Sequence, residues 1–213
     1  MSIDGRAINK NMAINSSKID LLVVDEKSNF LDSLEKLLFF LTQTEEGKEK
    51  MSWKWAIVAL YEALYGAMIL ALQGGNFKRV IELCRTCKKT RSGKLISFED
   101  AFKWIQEENK LPRRTGVKKF VPSEKQKEAI LCISQDFRNN FVHFVPQTWF
   151  IDIKKFPETF KSCLGIIRFC LFESGSIPLL ESEKKPYGDL LVKIDTCLNK
   201  KMKAPRLAAR TEK

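Results

Sequence analysis

The run "WKWAIVALYEALYGAMILALQ", Trp53 to Gln73, constrains the fold more than any other stretch of the chain. It is helix-forming and almost wholly apolar, and it is closed by Gly74 and Gly75, a helix stop. Its length approaches the ~20 residues needed to cross a bilayer. Glu62 stands near its middle, however, and a carboxylate there is costly in hydrocarbon. The rest of the chain is polar enough to fold in water, so the run reads as the central helix of a helical core. Ala59, Ala63, Ala67 and Ala71 recur every four positions. That small-residue stripe lets a second helix approach closely, from within the chain or from a second subunit.

The flanking segments also carry helical periodicity. Ser28 is placed to cap a helix running to about Gly47, with Phe30, Leu31, Leu34, Leu37, Leu38 and Leu41 on one face. "GNFKRVIELCRTCKK" reads as a short helix with a basic face, and "RSGKLIS" as a loop. Ser97 with Asp100 starts a helix through about Glu108, and Ser123 with Gln126 starts another. The latter carries Ala129, Ile130, Ile133, Phe137 and Phe141 and is ended by Pro146. "WFIDIKKF" is extended or a turn; Pro157 opens a helix to about Glu173, stopped by Gly175; a last helix spans about Tyr187 to Met202. The expected fold is all-α, a bundle of about six or seven helices. Residues 1–18 are expected to be a flexible N-terminal segment, 19–202 a single helical domain, and 203–213 a mobile basic tail.

Charge narrows the partners. The 213 residues carry a formal net charge of +11. The excess is concentrated between Asn76 and Phe120, where thirteen Lys and Arg face five Asp and Glu. Counterion release makes such a cluster attract phosphate backbones whatever their base sequence. Lys78, Arg79, Arg85, Lys88, Lys89, Arg91, Arg113, Arg114, Lys118 and Lys119 are candidates for an RNA-guiding surface, with Phe77, Phe120 and Trp149 as stacking platforms. The bland reading is a solvated basic face around core aromatics. The N-terminus "MSIDGRAINKNMAINSS" has no apolar h-region, so no secretory signal is expected, and the chain is expected to be cytoplasmic, without a membrane partner and with reduced thiols.

The only histidine, His143, falls in "DFRNNFVHF", Asp136 to Phe144. Asn139 and His143, four apart, share a helix face, while Arg138 is offset from His143 by about 140° on an ideal helix. Alone, a histidine near a helix end is most often a structural cap. "RNNFVH", Arg138 to His143, resembles the Arg-x4-6-His motif of the HEPN superfamily, in which a polar residue commonly follows the arginine, as Asn139 does here. The family's motif sits near the end of a long helix in an all-α bundle, the setting expected for this chain. The resemblance implies a metal-independent endoribonuclease whose site is composite, formed where two motifs meet, so a homodimer is implied. His143 would then move the proton of a ribose 2′-hydroxyl or of the leaving 5′-oxygen. Arg138 would stabilise charge on the phosphorane-like transition state, and Asn139 would orient the histidine or the phosphate. It also implies a toxin or defence setting, with a possible antitoxin protein as partner. Other members of that superfamily are non-catalytic, binding nucleotide or a nucleotidyltransferase partner, and that alternative stands beside the first.

Other chemistries find less footing. "CRTC", Cys84 and Cys87, has the spacing of half a zinc site. Cys132, Cys163, Cys170 and Cys197 form no second close pair, so buried helical thiols account for the cysteines and no metal or cofactor is expected. Asp136, Asp152 and Glu173 lie near the motif, but nothing in their spacing converges two carboxylates. "QGGNFKR" lacks the Walker pattern, and no strand precedes it.

Overall fold

The computed structural model describes residues 22–44, 49–82, 94–142 and 148–203. The expected N-terminal segment 1–18 and the expected tail beyond Lys203 lie outside the described residues. The architecture is the all-α bundle that the periodicity implies, with six continuous helices among the described residues.

Helix α1 (Glu26–Gln43) is capped by Asp25 rather than Ser28. The Asp25 carboxylate accepts the Ser28 N–H at 2.7 Å, and the Ser28 hydroxyl accepts the Asp25 N–H at 2.9 Å. Ser28 is thus the far half of a reciprocal box, and the helix begins earlier than a Ser28 cap would allow. It ends at Gln43, short of Gly47, which is outside the described residues.

Helix α2 (Ser52–Gln73) is the apolar run, and it ends on Gly74 in the left-handed conformation, φ 52°. By length and composition it is long enough to cross a membrane; most of its apolar surface is packed inside the bundle. It packs on α1, on α6 (Phe156–Arg168) and on α3 (Phe98–Trp104). The whole alanine stripe is buried within the chain, so its partners are internal. Trp53 meets Phe156 and Phe160 edge-on at 5.3 and 5.7 Å between ring centroids. Helix α7 (Glu181–Lys203) closes the bundle through Leu191, Ile194 and Leu198. It starts before Tyr187, and at its start the Glu183 carboxylate accepts the Leu180 N–H at 2.8 Å. Pro186 is carried inside the helix at the loss of one backbone bond. Lys27 on α1 pairs with Glu183 at 2.7 Å and pins this start.

Of the short helix expected over residues 75–89, the described part forms a 3₁₀ turn, Phe77–Val80, and strand β1 (Ile81–Glu82) instead, while residues 83–89 lie outside the described residues. Strand β1 pairs antiparallel with β2 (Lys94–Leu95), which lies within the stretch expected to be a loop. Helix α3 starts on Ser97 as expected but ends at Trp104, not Glu108. The chain must turn there, because Leu111 is buried and the residue before Pro112 is held extended.

The long helix carrying the motif has three parts. Helix α4 (Glu124–Leu131) begins with the expected Ser123–Gln126 box. A π-helical stretch, Cys132–Arg138, follows, and α-helical geometry resumes in α5 (Asn139–Val142). Helix α6 ends in a second π-helical stretch, Phe169–Glu173.

Candidate functional site at Arg138

Arg138 is the last residue of the π-helical stretch, and its placement follows from the aromatics around it. Phe137 meets Phe156 edge-on at 5.0 Å and stacks on Phe141 at 6.1 Å, and Phe141 in turn lies 6.1 Å from Trp149. This ladder fixes one side of the helix to α6. On the side facing α2, the Arg138 guanidinium lies over the Tyr61 ring, 4.9 Å from its centroid. A cation over a phenol face is held by the ring quadrupole, more strongly where water is excluded.

Glu62, the neighbour of Tyr61 on α2, is half-buried and interacts electrostatically with Arg138. Burial raises its carboxyl pKa above the ordinary glutamate value, and the Arg138 charge only partly offsets this. Burial likewise raises the Tyr61 phenol against the pull of Arg138. Tyr61 stacks on Phe98 at 4.4 Å and borders Tyr65, whose hydroxyl donates to the Ile96 carbonyl and whose pKa burial pushes up to about 12. The arginine thus meets a polar patch of α2 set among aromatic rings.

Of the three sequence-predicted residues, Arg138 is half-buried on α2, and Asn139 opens α5. His143 lies just beyond Val142, outside the described residues. Asn140 is tied back to the helix, its amide donating to the Asp136 carbonyl at 2.6 Å. Tyr61 and Glu62 were missed as site residues. The one available signal was a carboxylate inside an apolar helix, which implies a cationic partner but not which one.

The other candidates separate. Cys84 and Cys87 lie outside the described residues, as do Arg85, Lys88, Lys89 and Arg91. Cys163, Cys170 and Cys197 are buried and Cys132 is half-buried. Burial, aided by Asp136 and opposed by Lys155, pushes the Cys132 thiol up to about 11, which leaves it a poor nucleophile at neutral pH. Phe120 is core, packed on Phe169 at 4.9 Å, so it is no stacking platform. Trp149 is half-buried against Phe141, and its indole N–H is buried without a hydrogen-bond partner among the described residues. Arg79 and Arg114 are helix caps. The Arg79 Nε donates to the Leu72 carbonyl at 3.0 Å, and Arg114 donates to the Gly74 carbonyl at 2.5 Å. Both sit where the dipole of α2 favours a cation.

The raised Glu62 pKa gives a pH signature. A carboxyl whose folded pKa lies above its unfolded value contributes stability that is full below the unfolded pKa and is lost as pH rises through the folded one. Glu62→Gln removes that dependence. Urea midpoints are therefore expected to shift in favour of the variant between pH 4 and pH 7. A wild-type-minus-variant difference that stays flat, or moves the other way, would contradict the burial-dominated environment described for Glu62.

No protein-family model matches this chain, and no similar curated protein or solved structure was found in the comparisons.

Proposed function

We propose that the chain is a metal-independent endoribonuclease of HEPN type, acting as a homodimer whose two RNNFVH motifs share one site. The observation that carries this reading is the company of Arg138: a motif arginine near the end of a long helix in an all-α bundle, steadied by Tyr61 and Glu62. A guanidinium can bind phosphate oxygens while remaining charged at any working pH. In the reaction, the ribose 2′-oxygen forms a bond to phosphorus and loses its proton. The phosphorus–5′-oxygen bond breaks, and the leaving oxygen takes up a proton. His143 moves these protons, Arg138 stabilises the charge on the pentavalent phosphorus, and Asn139 orients the histidine or the phosphate. The products are a 2′,3′-cyclic phosphate and a 5′-hydroxyl. A toxin or defence role with an antitoxin partner belongs to the same proposal.

A second reading has its own observation. Arg138 is half-buried and stacked on Tyr61, which is also what a purely architectural arginine does in a module that binds nucleotide or a protein partner. RNA cleavage in EDTA separates the two. Wild type is expected to cut, and His143→Ala and Arg138→Ala are each expected to lose about 10²–10⁴-fold in rate, with helicity and oligomeric state unchanged. Absence of cutting by wild type across varied RNAs favours the module. Cutting that survives both substitutions would remove the motif from the chemistry.

A further inference from the structure

The end of the bundle where α2 stops is built from two segments without a single carboxylate, residues 73–81 and 109–123. They are sewn together by arginine. Arg79 reaches the Lys110 carbonyl at 2.6 Å as well as that of Leu72, and Arg114 reaches Gly74. The second segment also lies on the turn after α6, where the Lys118 N–H donates to the Ser174 carbonyl at 2.8 Å. Seven cations occur in these two segments, and the structure sorts them. Arg79 and Arg114 are engaged as caps, and the Lys110 ammonium lies 4.2 Å from the centre of the Trp104 ring. Lys78, Arg113, Lys118 and Lys119 are exposed and make no ion pair among the described residues. Beside them Phe77 is 57% exposed, with no ring partner among the described residues. In sequence, Glu82 follows the first segment and Glu108 and Glu124 bound the second, while Glu173 precedes Ser174 on the turn after α6.

We infer that this end of the bundle is a binding surface for single-stranded RNA, separate from the Arg138 site. Phe77 stacks on a base, while Lys78, Arg113, Lys118 and Lys119 track the phosphates. An exposed aromatic among unpaired cations is the combination that holds single strands without reading sequence. A duplex keeps its bases stacked on one another and offers Phe77 nothing, and an anionic membrane would use the charges without needing a flat ring. Gly74 is twelve residues along α2 from Glu62, about 18 Å at helical rise. The surface therefore engages RNA several nucleotides from the reacting phosphate and acts on long substrates only. The choice of RNA rests on the nuclease reading, and the test separates the two.

Binding is measured by anisotropy of a labelled single-stranded RNA in His143→Ala protein, so that no cleavage intervenes. Neutralising Lys78, Arg113, Lys118 and Lys119 together to glutamine is expected to reduce the slope of log affinity against log salt by about 3, close to 0.7 for each lost phosphate contact. Phe77→Ala is expected to weaken binding roughly 5- to 150-fold without changing that slope, and to leave a duplex of the same length unaffected. In otherwise wild-type protein, both changes are expected to raise KM for long RNA and spare cleavage of a dinucleotide. An unchanged slope in the quadruple variant overturns the surface. An unchanged affinity in Phe77→Ala, or equal competition by phosphatidylserine vesicles, overturns the assignment to single strands. RNA binding that follows these expectations in a wild type that never cuts would keep the surface and remove the nuclease.

Discussion

Phe160→Ala is expected to lower the unfolding free energy by about 3–5 kcal/mol, a large share of the roughly 5–15 kcal/mol that holds a domain together. Phe160 has no exposed surface, and it packs between Trp53 at 5.7 Å and Phe156 at 6.1 Å. Those two rings reach the start of α2 and, through Phe137, the motif helix. Truncation leaves a void bordered by rings too rigid to collapse into it, so the cavity cost adds to the lost transfer energy. The urea midpoint is expected to fall with little change in slope. Phe150→Ala, at a ring that is 96% exposed, serves as the matched control and is expected to stay within about 0.5 kcal/mol of wild type. A loss below about 1 kcal/mol at Phe160, outside the usual range for a buried aromatic, would mean that the α2–α6 contact is not the centre of the core.

The second large effect is expected from Gly74→Ala. Gly74 has φ 52°, and a Cβ built there would lie 2.3 Å from Pro112 Cγ and 2.9 Å from its Cβ. A left-handed backbone costs a non-glycine residue about 1–2 kcal/mol. Displacing a proline ring that closes the end of α2 adds about 1–3 kcal/mol of overpacking. Gly116→Ala isolates the first cost, because Gly116 has φ 83° with nothing within 4 Å of its Cβ position. Gly74→Ala should therefore cost clearly more than Gly116→Ala in the same denaturation experiment. It should also speed amide exchange at Lys118, whose N–H bond to Ser174 depends on the seat of the same loop. Equal losses at the two glycines would show that Pro112 yields freely and that the contact has no energetic weight.

What the sequence made legible was local. The Ser123–Gln126 box, the Ser97 cap and the Gly74 stop each involve residues within one turn of each other, and all three occur. The Asp25–Ser28 box shows the limit of such signals, since both residues are good caps and only the helix start decides which role each takes. The apolar run Trp53–Gln73 was long enough to identify as the core helix, and it placed the rest of the bundle around it. The candidate site was legible only as "RNNFVH". Its surroundings arise from contacts between α2 and a distant helix, and no spacing rule connects Glu62 with Arg138. In the sequence Arg79 and Arg114 are indistinguishable from the other candidates for an RNA-guiding surface, because capping the end of another helix is a tertiary event. The π-helical stretch had no signature either, since its turns use the same residue types as the α-helix on both sides.

That stretch has a consequence for how the chain can change over time. A π turn accommodates a residue that α-helical winding would not, and each residue in an α-helix turns the chain by about 100°. Between the cap at Ser123 and Arg138, gaining one more residue would swing Phe137 off Phe156 and carry Arg138 away from Tyr61, whereas losing one would return the π stretch to α-helical winding and keep both contacts in phase. Point substitutions leave this phase alone. The helix therefore works as a ruler with one spare notch: its lettering can be rewritten, and the lengths it tolerates are those that still bring its far end to the two rings.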